Sequence, residues 1–124
     1  MGYKYFLNNP VGNRTDDCTV RTLSKVFDIT WDEAYDLLAE AGKKMGLMPE
    51  HKAVFAAVMR TNDFYRENLP TFCPECYTVK DFVKHNLRGR YVLCTENHVV
   101  AVVNGTYFDS FDCGDYIIDS FWTR

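Results

Sequence analysis

A cysteine, a histidine and an aspartate are spaced along this chain so that they could act together as a nucleophile and its base. The stretch DDCTVRTL places Cys18 directly after two aspartates that could start a helix. The stretch NHVVAVVNGTYFDSFD places His98 and Asp109 on two β-rich runs that are separated by Asn104-Gly105. A thiol reacts as its thiolate, and an imidazole held by a carboxylate is an oriented base for the thiol proton. These residue types therefore predict covalent acyl transfer.

The Asn-Gly dipeptide predicts which residues face each other across the hairpin. A two-residue turn of this type pairs Val103 with Thr106. Because side chains alternate between the faces of a strand, His98 and Asp109 then share one face as diagonal neighbours, within hydrogen-bonding reach. Asp112 falls on the opposite face and becomes the partner of the histidine only if a bulge shifts the strand.

The helix that we predict to begin at Asp16 or Asp17 carries Cys18 in its first turn. Free backbone N–H groups and the positive end of the helix dipole favour a thiolate there, and the same N–H groups can hold an oxyanion. Arg21 lies one turn further on. We interpret it as the ion-pair partner of Asp17, the alternatives being a cation that lowers the thiol pKa or one that binds a substrate carboxylate.

The elements that position these residues are predicted as helices followed by an antiparallel sheet. Thr30 and Glu33 form a capping box for one helix, another begins near Pro49, and Thr78 caps a short one. Residues 3–14 are predicted to be an extended loop arm and residues 61–77 to be irregular. The β-rich runs are 91–95, 98–103, 106–110 and 116–122. The layout is a single α+β domain over residues 1–124, helical over about 15–88 and sheet over about 90–122.

Composition narrows the class of protein. Apolar residues make up 47% and aromatic residues 15% of 124 residues, which is enough for one packed core. The net charge of −3 comes without a basic stripe, so we do not expect nucleic acid as a partner. No apolar run reaches the roughly 20 residues of a membrane span. The five cysteines and the absence of a secretion signal predict reduced thiols in the cytoplasm.

The Cys18 helix followed by the His98–Asp109 hairpin resembles the papain-like cysteine peptidase superfamily, above all its small bacterial and phage members. The resemblance spans about Asn9 to Trp122. It implies a papain-like fold and a thiol protease or amidase that cleaves amide or isopeptide bonds in a peptide or protein without a cofactor. Cys18 would be the nucleophile, His98 the base and Asp109 the residue that orients it.

The resemblance leaves the oxyanion position open. Papain-like enzymes place a glutamine or asparagine a few residues before the nucleophile, and this chain has no glutamine. Asn9 is our first choice for that role. The alternative is that Asn9, which precedes Pro10, is simply a turn residue.

A zinc site is the rival hypothesis for the histidine. Cys73, Cys76, Cys94 and His98 have the spacing C-x2-C-x17-C-x3-H, which is typical of a zinc ribbon or knuckle. The chain would then be a zinc-stabilised or catalytically inactive binding module. Against this, Cys94 follows Tyr91, Val92 and Leu93, a pattern that predicts a thiol packed within a strand.

Overall fold

The computed structural model describes residues 2–69 and 77–124. Within these ranges the chain is α+β, as predicted. The helices are α1 (Cys18–Phe27), α2 (Trp31–Met45), α3 (Lys52–Thr61) and α4 (Val79–His85). The strands are β1 (Gly2–Tyr5), β2 (Tyr65–Asn68), β3 (Arg90–Cys94), β4 (Val99–Val103), β5 (Thr106–Asp109) and β6 (Ser120–Thr123). No helix within the described ranges combines the length and apolar character needed to cross a membrane.

The strands form one mixed sheet in the order β1-β5-β4-β3-β6-β2. All neighbouring pairs are antiparallel except β1 and β5, which run parallel. The prediction of a wholly antiparallel sheet is therefore wrong. The error lies at one edge, where β1 runs parallel to β5. β1 occupies part of the expected loop arm, and β2, the antiparallel strand at the other edge, lies in the segment expected to be irregular. YREN lacks the apolar alternation that identifies a strand, and GYKY is too short for one lysine between two tyrosines to identify one.

The β4–β5 hairpin has the predicted register. Val103 pairs with Thr106 and Ala101 with Phe108 across the two-residue turn. Asn104 and Gly105 both have positive φ angles, 49° and 79°, as a type I′ turn requires. The free ends of this hairpin, before β4 and at the end of β5, therefore lie side by side.

Local capping explains where α2 and α4 begin. The Thr30 side chain accepts a hydrogen bond from the backbone of Glu33, whose carboxylate accepts one from the backbone of Thr30, which confirms the predicted capping box. Thr78 and Asp81 form the same arrangement at α4. Helix α2 ends at Gly46, where φ is 71°, one of the two stops that its glycines suggested.

Helix α3 begins later than predicted. Its first residue is Lys52 rather than a residue near Pro49, because the Nδ1 atom of His51 accepts a hydrogen bond from the N–H of Ala53 and caps the helix. An imidazole nitrogen thus takes the place of the usual Ser, Thr, Asp or Asn oxygen at the cap.

Two apolar clusters lie on opposite sides of the sheet. Neighbouring residues of β3 show the division, since Val92 packs with α1, α2 and α3 whereas Leu93 packs with α4. Trp122 of β6 joins the first cluster and Tyr107 of β5 the second, and both are nearly inaccessible to solvent. This packing fixes the start of α1 against the free ends of the hairpin.

Candidate active site

The three residues of the predicted triad come together at the free end of the hairpin. Cys18 is the first residue of α1, His98 directly precedes β4, and Asp109 is the last residue of β5. The Nε2 atom of His98 lies 2.5 Å from Oδ2 of Asp109. The two side chains are 13% and 1% exposed, respectively, so water competes little for this bond.

Cys18 is held in surroundings that favour its thiolate. Burial alone would raise the pKa of Cys18. The hydrogen bonds with His98 and with the backbone of Val99, together with the charges of His98 and Arg21, outweigh burial and lower the pKa below its ordinary value. The thiol is therefore more acidic than a free cysteine.

His98 shows the opposite shift. Burial would lower the pKa of its imidazole, but the hydrogen bond with Asp109, contacts with the thiols of Cys113 and Cys18 and the charge of Asp109 raise it to about 11. A lowered thiol pKa and a raised imidazole pKa together favour a thiolate–imidazolium pair near neutral pH.

Both the side chain and the backbone carbonyl of Asp109 accept several hydrogen bonds. Besides His98, its carboxylate accepts hydrogen bonds from the Arg21 guanidinium at 2.8 Å and from the N–H of Ser110 at 2.7 Å. Burial would raise the pKa of Asp109, but His98, Cys113 and Arg21 lower it, so the group is ionised. Its backbone carbonyl accepts hydrogen bonds from Phe6 N and Tyr3 Oη, which tie Asp109 to β1 and the residue that follows it.

Arg21 forms the predicted ion pair with Asp17 and a second one that the sequence did not reveal. Its Nη1 lies 2.5 Å from Oδ1 of Asp17, and its Nη2 lies 2.8 Å from Oδ1 of Asp109. Asp17 occupies the cap position of α1, but its side chain makes no capping bond. Its Oδ2 instead accepts a hydrogen bond from Nε1 of Trp31.

The start of α1 also offers backbone donors. The first hydrogen bond of the helix runs from the N–H of Arg21 to the carbonyl of Asp17. The N–H groups before it, including that of Cys18, have no partner within the helix. They are the candidates for holding a developing oxyanion beside the thiol.

Asn9 is not brought to this site. Its Oδ1 accepts a hydrogen bond from the N–H of Val11, which closes a small turn. Asn9 is also absent from the residues that line the cleft at Cys18. An oxyanion role for Asn9 therefore has no geometric support here and stays a prediction.

An open cleft of about 590 Å³ gives access to Cys18 and His98. Phe111 and Trp122 contribute aromatic surface to its walls. Its charged lining residues have both signs: Asp16, Glu50 and Asp119 are acidic, and Arg21, Lys52 and Arg66 are basic. Its volume suits a segment of peptide or a small molecule.

A second thiol, that of Cys113, lies beside the histidine. The donor atoms of Cys113, His98 and Asp109 are within 4.8 Å of one another, a set that could hold a metal ion. Burial keeps the pKa of Cys113 raised, so its thiol is protonated near neutral pH. A divalent cation there would also meet the positive charge of Arg21, 2.8 Å from the Asp109 carboxylate. No residue pattern in the sequence indicates that Cys113 is a neighbour of His98.

The zinc hypothesis is only partly within the described residues, because Cys73 and Cys76 lie outside them. Cys94 is at the end of β3, half-buried against Ser120 and Trp122, and burial raises the pKa of its thiol. His98, the fourth residue of that motif, is directed instead to Asp109 and Cys18.

No protein-family model, curated protein or solved structure matches this chain. The papain-like resemblance thus rests on the residue patterns and remains a prediction.

Proposed function

We propose that the protein is a cysteine hydrolase that cleaves an amide or isopeptide bond in a peptide or protein. One observation carries the proposal: a thiol of lowered pKa at a helix start contacts an imidazole that is also hydrogen-bonded to a buried, ionised carboxylate. A nucleophile, a base and a group that orients the base are the minimum set for acyl transfer by a thiol.

In the proposed mechanism the thiolate of Cys18 attacks the carbonyl carbon and a carbon–sulfur bond forms. The backbone N–H groups at the start of α1 stabilise the resulting oxyanion. Because Asp109 engages Nε2, we assign Nδ1 of His98 to proton exchange with the thiol and substrate. The imidazolium protonates the leaving amine as the carbon–nitrogen bond breaks, which leaves a thioester.

Water completes the cycle. His98, now neutral, takes a proton from water as the water oxygen attacks the thioester carbonyl. The carbon–sulfur bond then breaks, a carboxylic acid leaves, and the thiolate–imidazolium pair is restored. The proposed cycle uses no cofactor, because Cys18 supplies the nucleophile and His98 carries every proton that moves between water and the substrate.

Selective alkylation tests the reactive pair. We would treat the native protein with substoichiometric iodoacetamide at about pH 6, where an unperturbed thiol reacts slowly, and map the label by mass spectrometry. We expect Cys18 to be labelled, and labelling to drop in a His98→Ala variant. Cys94, whose pKa is raised, is the control thiol within the same molecule. Labelling of Cys18 no faster than that of Cys94 would overturn the proposal.

Turnover needs a separate test. A panel of fluorogenic peptide amides would be compared between the parent protein and Cys18→Ala. Loss of cleavage in the variant is expected. If a ligand of the protein binds equally well to Cys18→Ala and no amide is cleaved by either, the chain is a binding module rather than a hydrolase.

A further inference from the structure

A series of buried polar groups continues from the triad into the helices. The indole N–H of Trp31 donates to Asp17, Asp17 pairs with Arg21, and Arg21 pairs with the carboxylate of Asp109. Asp109 in turn binds His98. The side chains of Asp17 and Arg21 are 3% and 5% exposed, so both charges are almost fully removed from water.

We propose that Arg21, held by Asp17, is a positioning residue that fixes the Asp109 carboxylate and through it the imidazole of His98. The inference rests on the proposed function. The inference is carried by the different partners of the two carboxylate oxygens of Asp109. Oδ1 accepts from the Arg21 guanidinium and from the N–H of Ser110, and Oδ2 binds His98. A carboxylate fixed at both oxygens cannot rotate about its terminal bond and keeps its second oxygen on the imidazole.

The side-chain chemistry explains why arginine occupies this place. A planar guanidinium presents several donors in a rigid fork, so one group spans Asp17 and Asp109 with separate nitrogens. A lysine ammonium has the same charge but no such fork. Arg21 also neutralises part of the charge of Asp109, and its cation contributes to the lowered pKa of Cys18.

A purely stabilising role for these groups has weak physical support. Buried ion pairs are costly to desolvate, and apolar residues of similar volume stabilise a fold as well or better. The position of Arg21 next to the triad carboxylate is what a positioning role requires and what stability alone does not.

The test compares Arg21→Gln, Arg21→Lys and a matched control, Val26→Ala. Val26 is a buried apolar residue of the same helix that belongs to the cluster formed with α2 and α3 and forms no ion pair, so its truncation destabilises α1 while keeping every polar group of the network. The readout is the rate of Cys18 alkylation by iodoacetamide as a function of pH. This readout follows the thiolate and requires no known substrate.

For Arg21→Gln we expect the midpoint of the pH profile to rise by about one pH unit, and labelling at pH 6 to fall roughly tenfold. Arg21→Lys should lie between Gln and the parent, since it restores the charge without the fork. Val26→Ala should melt at a lower temperature and keep the parent profile. If Arg21→Gln keeps the parent profile while Cys18 of the parent is reactive, the positioning role is overturned and the proposed function stands. If Cys18 of the parent is unreactive, the proposed function itself fails.

Asp17→Asn keeps the test decisive if Arg21→Gln does not fold. This variant retains the cation of Arg21 and the Asp109 pair. It removes the charge of Asp17 and leaves one acceptor oxygen for the two donors, Arg21 and Trp31, so the guanidinium is held less firmly. The readout is the NMR resonance of the His98 Nε2 proton, which a short hydrogen bond with Asp109 moves downfield. We expect this resonance to broaden or disappear in Asp17→Asn and to persist in Val26→Ala. An unchanged resonance in Asp17→Asn would overturn the inference.

Discussion

Replacing Cys18 by alanine should make the stability of the protein depend on pH in a range where the parent is insensitive. In an unfolded chain between about pH 7 and 8, most of the cysteine thiols keep their proton and most of the histidines have lost theirs. In the folded parent, the lowered pKa of Cys18 and the raised pKa of His98 place that one proton on the imidazole. Both states of the pair bind one proton, so the pair adds no slope to the free energy of unfolding.

In the Cys18→Ala variant the folded and unfolded states no longer bind the same number of protons. Asp109 still holds the pKa of His98 well above its ordinary value, so the folded variant keeps the imidazolium proton that the unfolded chain loses. Stability gained from a raised pKa is complete below the unfolded value and is lost as the pH rises towards the folded value. With one extra proton bound, the free energy of unfolding should fall by about 1.4 kcal/mol per pH unit. Between pH 7 and 8.5 the loss should reach about 2 kcal/mol.

Urea unfolding curves at several pH values, followed by the fluorescence of Trp31 and Trp122, would measure this slope. Cys94→Ala is the matched control. The Cys94 thiol of the parent keeps its proton in the folded state across this range, because burial raises its pKa. Removing this thiol should therefore leave the pH dependence of the free energy of unfolding parallel to that of the parent. If the free energy of unfolding of Cys18→Ala also changes with pH in parallel to the parent, the claim that Asp109 keeps His98 charged is refuted.

Three further outcomes are expected. Asp109→Asn should lower Cys18 alkylation at pH 6 by roughly tenfold or more, because His98 loses the carboxylate that raises its pKa; a parent-like rate would contradict the assigned partner. Gly42→Ala should destabilise the protein by about 1–3 kcal/mol in urea, although alanine favours helices, since its Cβ would lie 2.6 Å from the carbonyl oxygen of Leu47; a gain in stability would show that this turn can move. Thr30→Ala should cost about 1 kcal/mol through loss of the α2 cap, and an unchanged urea midpoint would speak against the capping box.

The parts of the fold that were predictable from the sequence are those fixed by near neighbours. An Asn-Gly turn determines the hairpin register, and that register places His98 against Asp109. The threonine caps of α2 and α4 depend on residues three positions apart. In each case a few adjacent residue types limit the backbone to one favourable arrangement.

The parts that were missed depend on partners that are distant in sequence. Strand β1 exists because Tyr3 pairs with Tyr107 of β5, and the four residues GYKY are too few to indicate this. Strand β2 is an exposed edge strand whose partner is β6. The bond from Arg21 to Asp109 joins residues separated by 88 positions, so the local pattern favoured the nearer Asp17.

The separation of Cys18 from its histidine has a consequence during synthesis. His98 follows Cys18 by 80 residues, and the strand that carries Asp109 comes later still. At translation rates of about 5–20 residues per second, the thiol exists for roughly 4–16 s before its imidazole is made. Throughout that interval His98 and Val99, two of the groups that lower the pKa of Cys18 in the folded chain, are missing. The pair of Cys18 and His98 can therefore form only when the hairpin closes onto α1.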